Sequence, residues 1–217
     1  AELLTDALMK KFCSVFIILT GAALLYAHPH VAITSSVNFV WEGKNLQGAY
    51  IEWTFDKIFS NEIISWLDAD HNGKFSDAES EAVYNNAFIN LRNYYFYTFI
   101  RQGSKRSNPE KVSRFKATQK NGIMTYRFYV DLSKYTGTEL YFAVYDYTYF
   151  CDVRYIEDGG IRLTYDPAVV NPTFKIIENK DYPVFYDPLS PAADTSVYYK
   201  WKPGLQTYYP KEILLSW

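Results

Sequence analysis

The segment Asp68-Ala69-Asp70-His71-Asn72-Gly73-Lys74-Phe75-Ser76-Asp77-Ala78-Glu79 spaces oxygen donors as an EF-hand calcium loop requires. A hard cation needs several oxygens at once. Asp68, Asp70 and Asn72 supply side-chain oxygens from positions one, three and five, and Lys74 offers its backbone carbonyl from position seven. Ser76 stands where a water often bridges, and Glu79 closes the shell bidentately. Gly73 permits the sharp turn, and Phe75 is apolar, as the short extended stretch of such loops usually is. His71 points to solvent in this geometry. A plainer reading is an acidic turn that only caps the following helix, where carboxylates are comfortable without metal. Five constrained positions flanked on both sides by helical patterns favour Ca²⁺. With a single loop and no partner loop, the role expected is structural rather than that of a sensor.

A second chemistry sits near the start. The chain has three histidines, and two of them lie in His28-Pro29-His30-Val31. In an extended segment, residues two apart project to the same side, so both imidazoles can reach one ion. Cleavage after Ala27 would add the free amine of His28. An amine with two imidazoles suits Zn²⁺, Ni²⁺, Co²⁺ or Cu²⁺. Pro29 has no N–H to deprotonate, so chelation through successive backbone amides is blocked. Asp56 and Asp146, with Asp152 as a further choice, are candidate additional ligands if their strand ends converge. The competing reading is a polar terminus that binds nothing.

The histidine segment, then Glu52-Trp53-Thr54-Phe55-Asp56, the Asp68–Glu79 loop, and Val144-Tyr145-Asp146-Tyr147-Thr148-Tyr149-Phe150 occur in that order. Together they resemble an uncharacterised bacterial periplasmic family, described as a periplasmic component of a metal transport system that acts beside nickel/cobalt-type permeases in zinc handling. The resemblance spans roughly His28 to Tyr155. It implies a periplasmic location, a role in transition-metal supply with a membrane permease as partner, and metal at His28 and His30.

These residues need a scaffold. His30 to Val40 and Gln47 to Phe55, joined by the turn Glu42-Gly43-Lys44-Asn45, read as a β-hairpin. Lys57 to Leu67 changes to helical spacing, with Ser60 as a candidate cap, and a second helix is signalled from Asp77 through Ala78, Ala82, Val83, Ala87, Phe88 and Leu91. Strands are predicted over Tyr95–Arg101, Val112–Lys120, Met124–Leu132 and Leu140–Tyr149, with a hairpin turn at Asn121-Gly122. The proline-rich tail after Asp158 is expected to add one or two edge strands and irregular wrapping.

Met9-Lys10-Lys11 followed by apolar Phe12 to Leu25 reads as a signal peptide ending near Ala27. That run falls short of the about 20 residues that span a bilayer, so no transmembrane segment is expected after cleavage. Ala1 to Leu8 precede the natural-looking start at Met9, and residues 1–27 are set aside from the fold. Cys13 falls in the signal, which leaves Cys151 alone, unable to form an internal disulfide and read as a small buried hydrophobe.

Composition closes off some classes. The 217 residues carry 22 Lys and Arg against 24 Asp and Glu, with no basic run, so nucleic-acid binding is excluded. The 21 Tyr and 15 Phe lean toward β structure. The expectation is an α+β fold: one domain over 28–217, an antiparallel sheet or sandwich with the EF-hand unit 57–93 inserted between the second and third strands. The leading function is a periplasmic metal-binding protein accessory to transition-metal transport, with a structural Ca²⁺ site. The alternative is a calcium-stabilised structural or adhesive module with no transition-metal role. An N-terminal histidine with a second imidazole is also a feature of copper oxidases, but no nucleophile–base arrangement is available around Cys151, and no enzyme is expected.

Overall fold

Apolar side chains at Val31, Ile33, Val37, Phe39 and Trp41 alternate with smaller or polar ones, and Gly43, at φ +57, turns the chain back into a second strand of the same alternation. The computed structural model describes residues 29–194 and 196–217, so the predicted signal segment and His28 lie outside the described residues. In chain order the elements are β1 (Val31–Glu42), β2 (Asn45–Phe55), α1 (Lys57–Leu67), α2 (Asp77–Asn86), a 3-10 segment (Phe88–Tyr97), β3 (Thr98–Gln102), β4 (Lys105–Ser107), β5 (Ser113–Lys120), β6 (Ile123–Asp131), β7 (Glu139–Val144), β8 (Cys151–Tyr155), β9 (Ile161–Thr164), β10 (Thr173–Glu178), β11 (Val184–Tyr186), β12 (Gln206–Tyr208) and β13 (Lys211–Ser216).

Two sheets face each other across one core. The first has the order β5-β6-β2-β1-β8, with β9 also on β1; the second runs β10-β13-β7-β3-β4, and β11 pairs with β12 apart. Phe39 of the first sheet meets Phe142 of the second edge-on at 5.2 Å, and Trp41 meets Trp217 at 5.9 Å. Trp53, fully buried, packs on Phe128, Tyr97 and Phe88. Each such ring contributes roughly 1.5–3 kcal/mol by leaving water. The fold is therefore a sheet-rich α+β sandwich with a helix–loop–helix between β2 and β3. Among the described residues, no helix is long and apolar enough to cross a membrane.

The structure corrects four expectations. The first sheet is mixed rather than antiparallel: β8 and β9 both lie parallel to β1, Val31 opposite Cys151 and Val37 opposite Ile161. The tail does not stay at the edges, because β13 sits between β10 and β7 with Ile213 and Leu215 fully buried; Pro210 ends just before it and leaves its ladder donors intact. The cap of α1 is Asp56, whose Oδ1 accepts from the N–H groups of Ile58 and Phe59. The second helix stops at Ala87, and at Tyr95, Phe96 and Tyr97 the chain turns left-handed (φ 57, 49 and 51) to reach β3.

Ser60 is instead a docking group. Its buried hydroxyl accepts the Met124 N–H of β6 at 3.0 Å, and the buried Ser80 of α2 accepts the Ala117 N–H of β5 at 2.8 Å. Two serines thus fix both helices to neighbouring strands, and α2 shields the open edge of β5.

Candidate metal centre

The connection between α1 and α2 draws its acids together. Asp68, Asp70 and Glu79 each bring a carboxylate oxygen within 4.8 Å of the others, the one such group of three ligand residues among those described. Local hydrogen bonds set the curve. Asp68 Oδ2 accepts the Gly73 N–H at 3.1 Å, Asp70 Oδ1 accepts the Asn72 N–H at 3.1 Å, and Asn72 Oδ1 accepts the Lys74 N–H at 2.8 Å. Such side chain to backbone bonds are the natural habit of Asp and Asn in turns. Gly73, at φ +78, takes the conformation that a side chain would resist, and His71, at φ +54, faces solvent.

Glu79 closes the loop from the far side. Its Oε2 accepts the Ser76 N–H at 2.8 Å while Ser76 Oγ accepts the Glu79 N–H at 3.2 Å, a reciprocal cap on α2. Its Oε1 accepts the Ala69 N–H at 2.8 Å, which ties the helix back to the loop's first turn. Phe75 is buried in the main core and anchors the loop's middle.

Asp68 is the deepest of the three, only 3% exposed, and its Oδ1 is buried without a hydrogen-bond donor. Its Oδ2 also accepts from Gln119 Nε2 of β5 at 2.8 Å. Burial pushes this carboxyl up, but the donors from Gln119, Gly73 and Asn72 outweigh it and leave it below the 3.8 of an ordinary aspartate. The Ser76 N–H and then its hydroxyl hold Glu79 below 4.5. Both acids are ionised at neutral pH, so the site concentrates negative charge around an oxygen that lacks a partner. That donor set, all hard oxygen, fits a calcium-like cation and not a soft one.

The second set of predicted ligands is distributed differently. The His30 ring packs on the Phe150 ring at 4.9 Å, and the His30 backbone N–H donates to the Phe150 carbonyl at 2.8 Å. Asp56, besides capping α1, accepts the Ala32 N–H through Oδ2 at 2.8 Å. Asp146 is buried and organises the turn before β8, taking the Thr148 N–H at 2.8 Å and the Cys151 N–H at 3.0 Å; burial raises its carboxyl pKa against those donors. Asp152 pairs with Arg154 at 2.7 Å. Among the described residues His30, Asp56 and Asp146 form no converging group, and His28 lies outside them. Cys151 is buried with its Sγ 3.5 Å from the Tyr97 hydroxyl, as a small core residue would be.

Sequence reasoning missed Gln119, which sits in an ordinary strand alternation with nothing to mark its reach to Asp68, and misassigned Ser60. Ser80 gave no signal either, since a serine inside a helix pattern reads as surface.

Comparison with known proteins adds family and little chemistry. A relative from Spirochaeta aurantia, an uncharacterized 15.5 kDa protein in the trpE 3′ region, is 34% identical over 98 residues, which cover 44% of this chain and 70% of that protein. Residues 13–217 match the model of a protein family of unknown function, DUF1007, and because that match spans nearly the whole sequence, the chain belongs to this family.

Proposed function

We propose that this protein is an exported metal-binding protein in which Asp68–Glu79 works as an EF-hand calcium loop with a structural role. The buried, donorless Asp68 Oδ1, on one of three converging carboxylates, carries the reading. Lys74 would add its carbonyl and Ser76 a bridged water, as the loop positions require. Calcium there would hold α1 to α2 and, through Gln119, to β5. The reading extends to transition-metal supply: His28 and His30 would hold Zn²⁺, or Ni²⁺, Co²⁺ or Cu²⁺, for a membrane permease. Its support is the order of motifs that resembles the periplasmic metal-transport family. No reaction is assigned.

The second reading keeps the calcium site and drops the transition metal, leaving a structural or adhesive module. Tyr199, Trp201 and Tyr209 favour it, as large rings left on the surface while the core absorbs Trp53, Phe39 and Phe88.

Calorimetric titration of the 28–217 chain decides between them. Ca²⁺ should bind one-to-one to the wild type and fail to bind Asp68→Asn/Glu79→Gln; equal binding by both would sink the calcium site. With Ca²⁺ saturating, Zn²⁺ binding that disappears in His28→Ala/His30→Ala supports the carrier, and no Zn²⁺, Ni²⁺, Co²⁺ or Cu²⁺ binding by the wild type leaves the module.

A further inference from the structure

Arg106 of β4 lies opposite Arg101 of β3 on the outer face of the second sheet, and the two guanidinium groups are treated differently. Arg101 is neutralised by Glu212 of β13, Nη2 to Oε2 at 2.7 Å. Arg106 has no carboxylate within ion-pair distance among the described residues. Its Nη2 donates to the Tyr145 hydroxyl, and its Cζ lies 4.4 Å from the Phe99 ring centre and 4.3 Å from that of Tyr182. Those rings engage the π-faces of the guanidinium. Nε and Nη1 remain as edge donors without an acceptor among the described residues. A partly buried cation with no carboxylate in contact is costly to keep, and Glu212 is already taken by Arg101.

Arg106 opens on a cavity of about 530 Å³, lined also by Tyr95, Tyr147, Tyr182 and Tyr199, with Asp181 on its wall. Tyr199 is 85% exposed and Tyr95 is 45% exposed. Tyr95 is presented by the left-handed turn that continues through Tyr97, a conformation costing about 1–3 kcal/mol per residue and typical of binding sites. Tyrosine offers an apolar face and a hydroxyl edge together. A sugar ring has the complementary surfaces, C–H groups on its faces and hydroxyls around its rim. A planar carboxylate matches the edge of a guanidinium better than a spherical anion does.

We propose that this cavity binds a sugar acid, its carboxylate on the Arg106 edge and its ring against Tyr147, Tyr182 and Tyr199. The proposal is independent of the metal reading.

The test is calorimetry on the folded chain, without added Ca²⁺, with three probes: galacturonate, its trimer, and neutral galactose. Galacturonate should bind at least tenfold tighter than galactose. The trimer binding tighter than the monomer identifies a polymer as the source, and equal affinities identify the free sugar acid. Arg106→Gln should lose at least tenfold and Tyr199→Ala several-fold, with both melting near the wild-type temperature. No saturable binding of either acid probe, equal binding of acid and neutral sugar, or unchanged affinity in Arg106→Gln overturns the proposal. Should Arg106→Gln not fold, the acid-to-neutral ratio and Tyr199→Ala decide alone, an unchanged Tyr199→Ala counting against it.

Discussion

Gln119 Nε2 donates to Asp68 Oδ2 at 2.8 Å across 51 residues of chain. The contact joins an edge strand to the first acid of the α1–α2 loop, so the geometry of the acidic cluster is set partly by the sheet. Gln119 is half-exposed, so its removal should act on the metal more than on folding. Gln119→Ala is expected to weaken Ca²⁺ binding roughly 10- to 100-fold, as loss of an outer partner to a ligand does. Calorimetry showing wild-type affinity would mean that the contact does not shape the site.

The same acids set a pH dependence. Asp68 and Glu79 are both more acidic in the folded chain than their ordinary values of 3.8 and 4.5. A carboxyl lowered in this way contributes stability that is fully present above its unfolded value and fades as pH falls through the folded one. Metal-free protein should therefore keep this contribution above pH ~4.5 and lose it below pH ~3.8. Urea unfolding from pH 6 to pH 3 would reveal it, and Asp68→Asn/Glu79→Gln should flatten part of the slope.

Ser60 and Ser80 yield a separable prediction. Each hydroxyl is the acceptor for a strand N–H buried against a helix, Met124 and Ala117 respectively. Alanine in either place leaves the N–H without a partner and should cost about 1–3 kcal/mol. Denaturant midpoints should fall in both variants. A change of only a few tenths would mean that water reaches these groups.

Cys151 should be chemically silent. Burial pushes its thiol far above 9.0, with the Asp146 carboxylate adding to the effect and the Tyr97 hydroxyl opposing it. Ellman's reagent at pH 8 should react with it only as fast as the protein unfolds. Prompt labelling of the native chain would contradict its place in the core.

Local pattern accounts for much of this structure. The hairpin β1–β2, the helix over Lys57–Leu67 and the Asn121-Gly122 turn follow from periodicities and turn chemistry that act within a few residues. The spacing of Asp68, Asp70 and Glu79 likewise foretold their convergence. What escaped depends on partners distant in sequence. Nothing near Ser60 shows that Met124 needs an acceptor, and nothing near Lys211–Ser216 shows that two strands will flank it. Arg106 reads as an ordinary surface cation until Phe99, Tyr145 and Tyr182 surround it.

The parallel partners of β1 bear on the order in which the chain can assemble. Residues 31–55 can close as a hairpin as soon as they are available. The other side of β1, however, waits for Cys151–Tyr155 and Ile161–Thr164, and its backbone groups stay open until then. Such distant pairing is slow, and an open strand edge invites mispairing with other chains. The strand made first is thus completed only after two-thirds or more of the molecule exists, which makes its waiting edge the natural point for a folding helper to protect and for aggregation to begin.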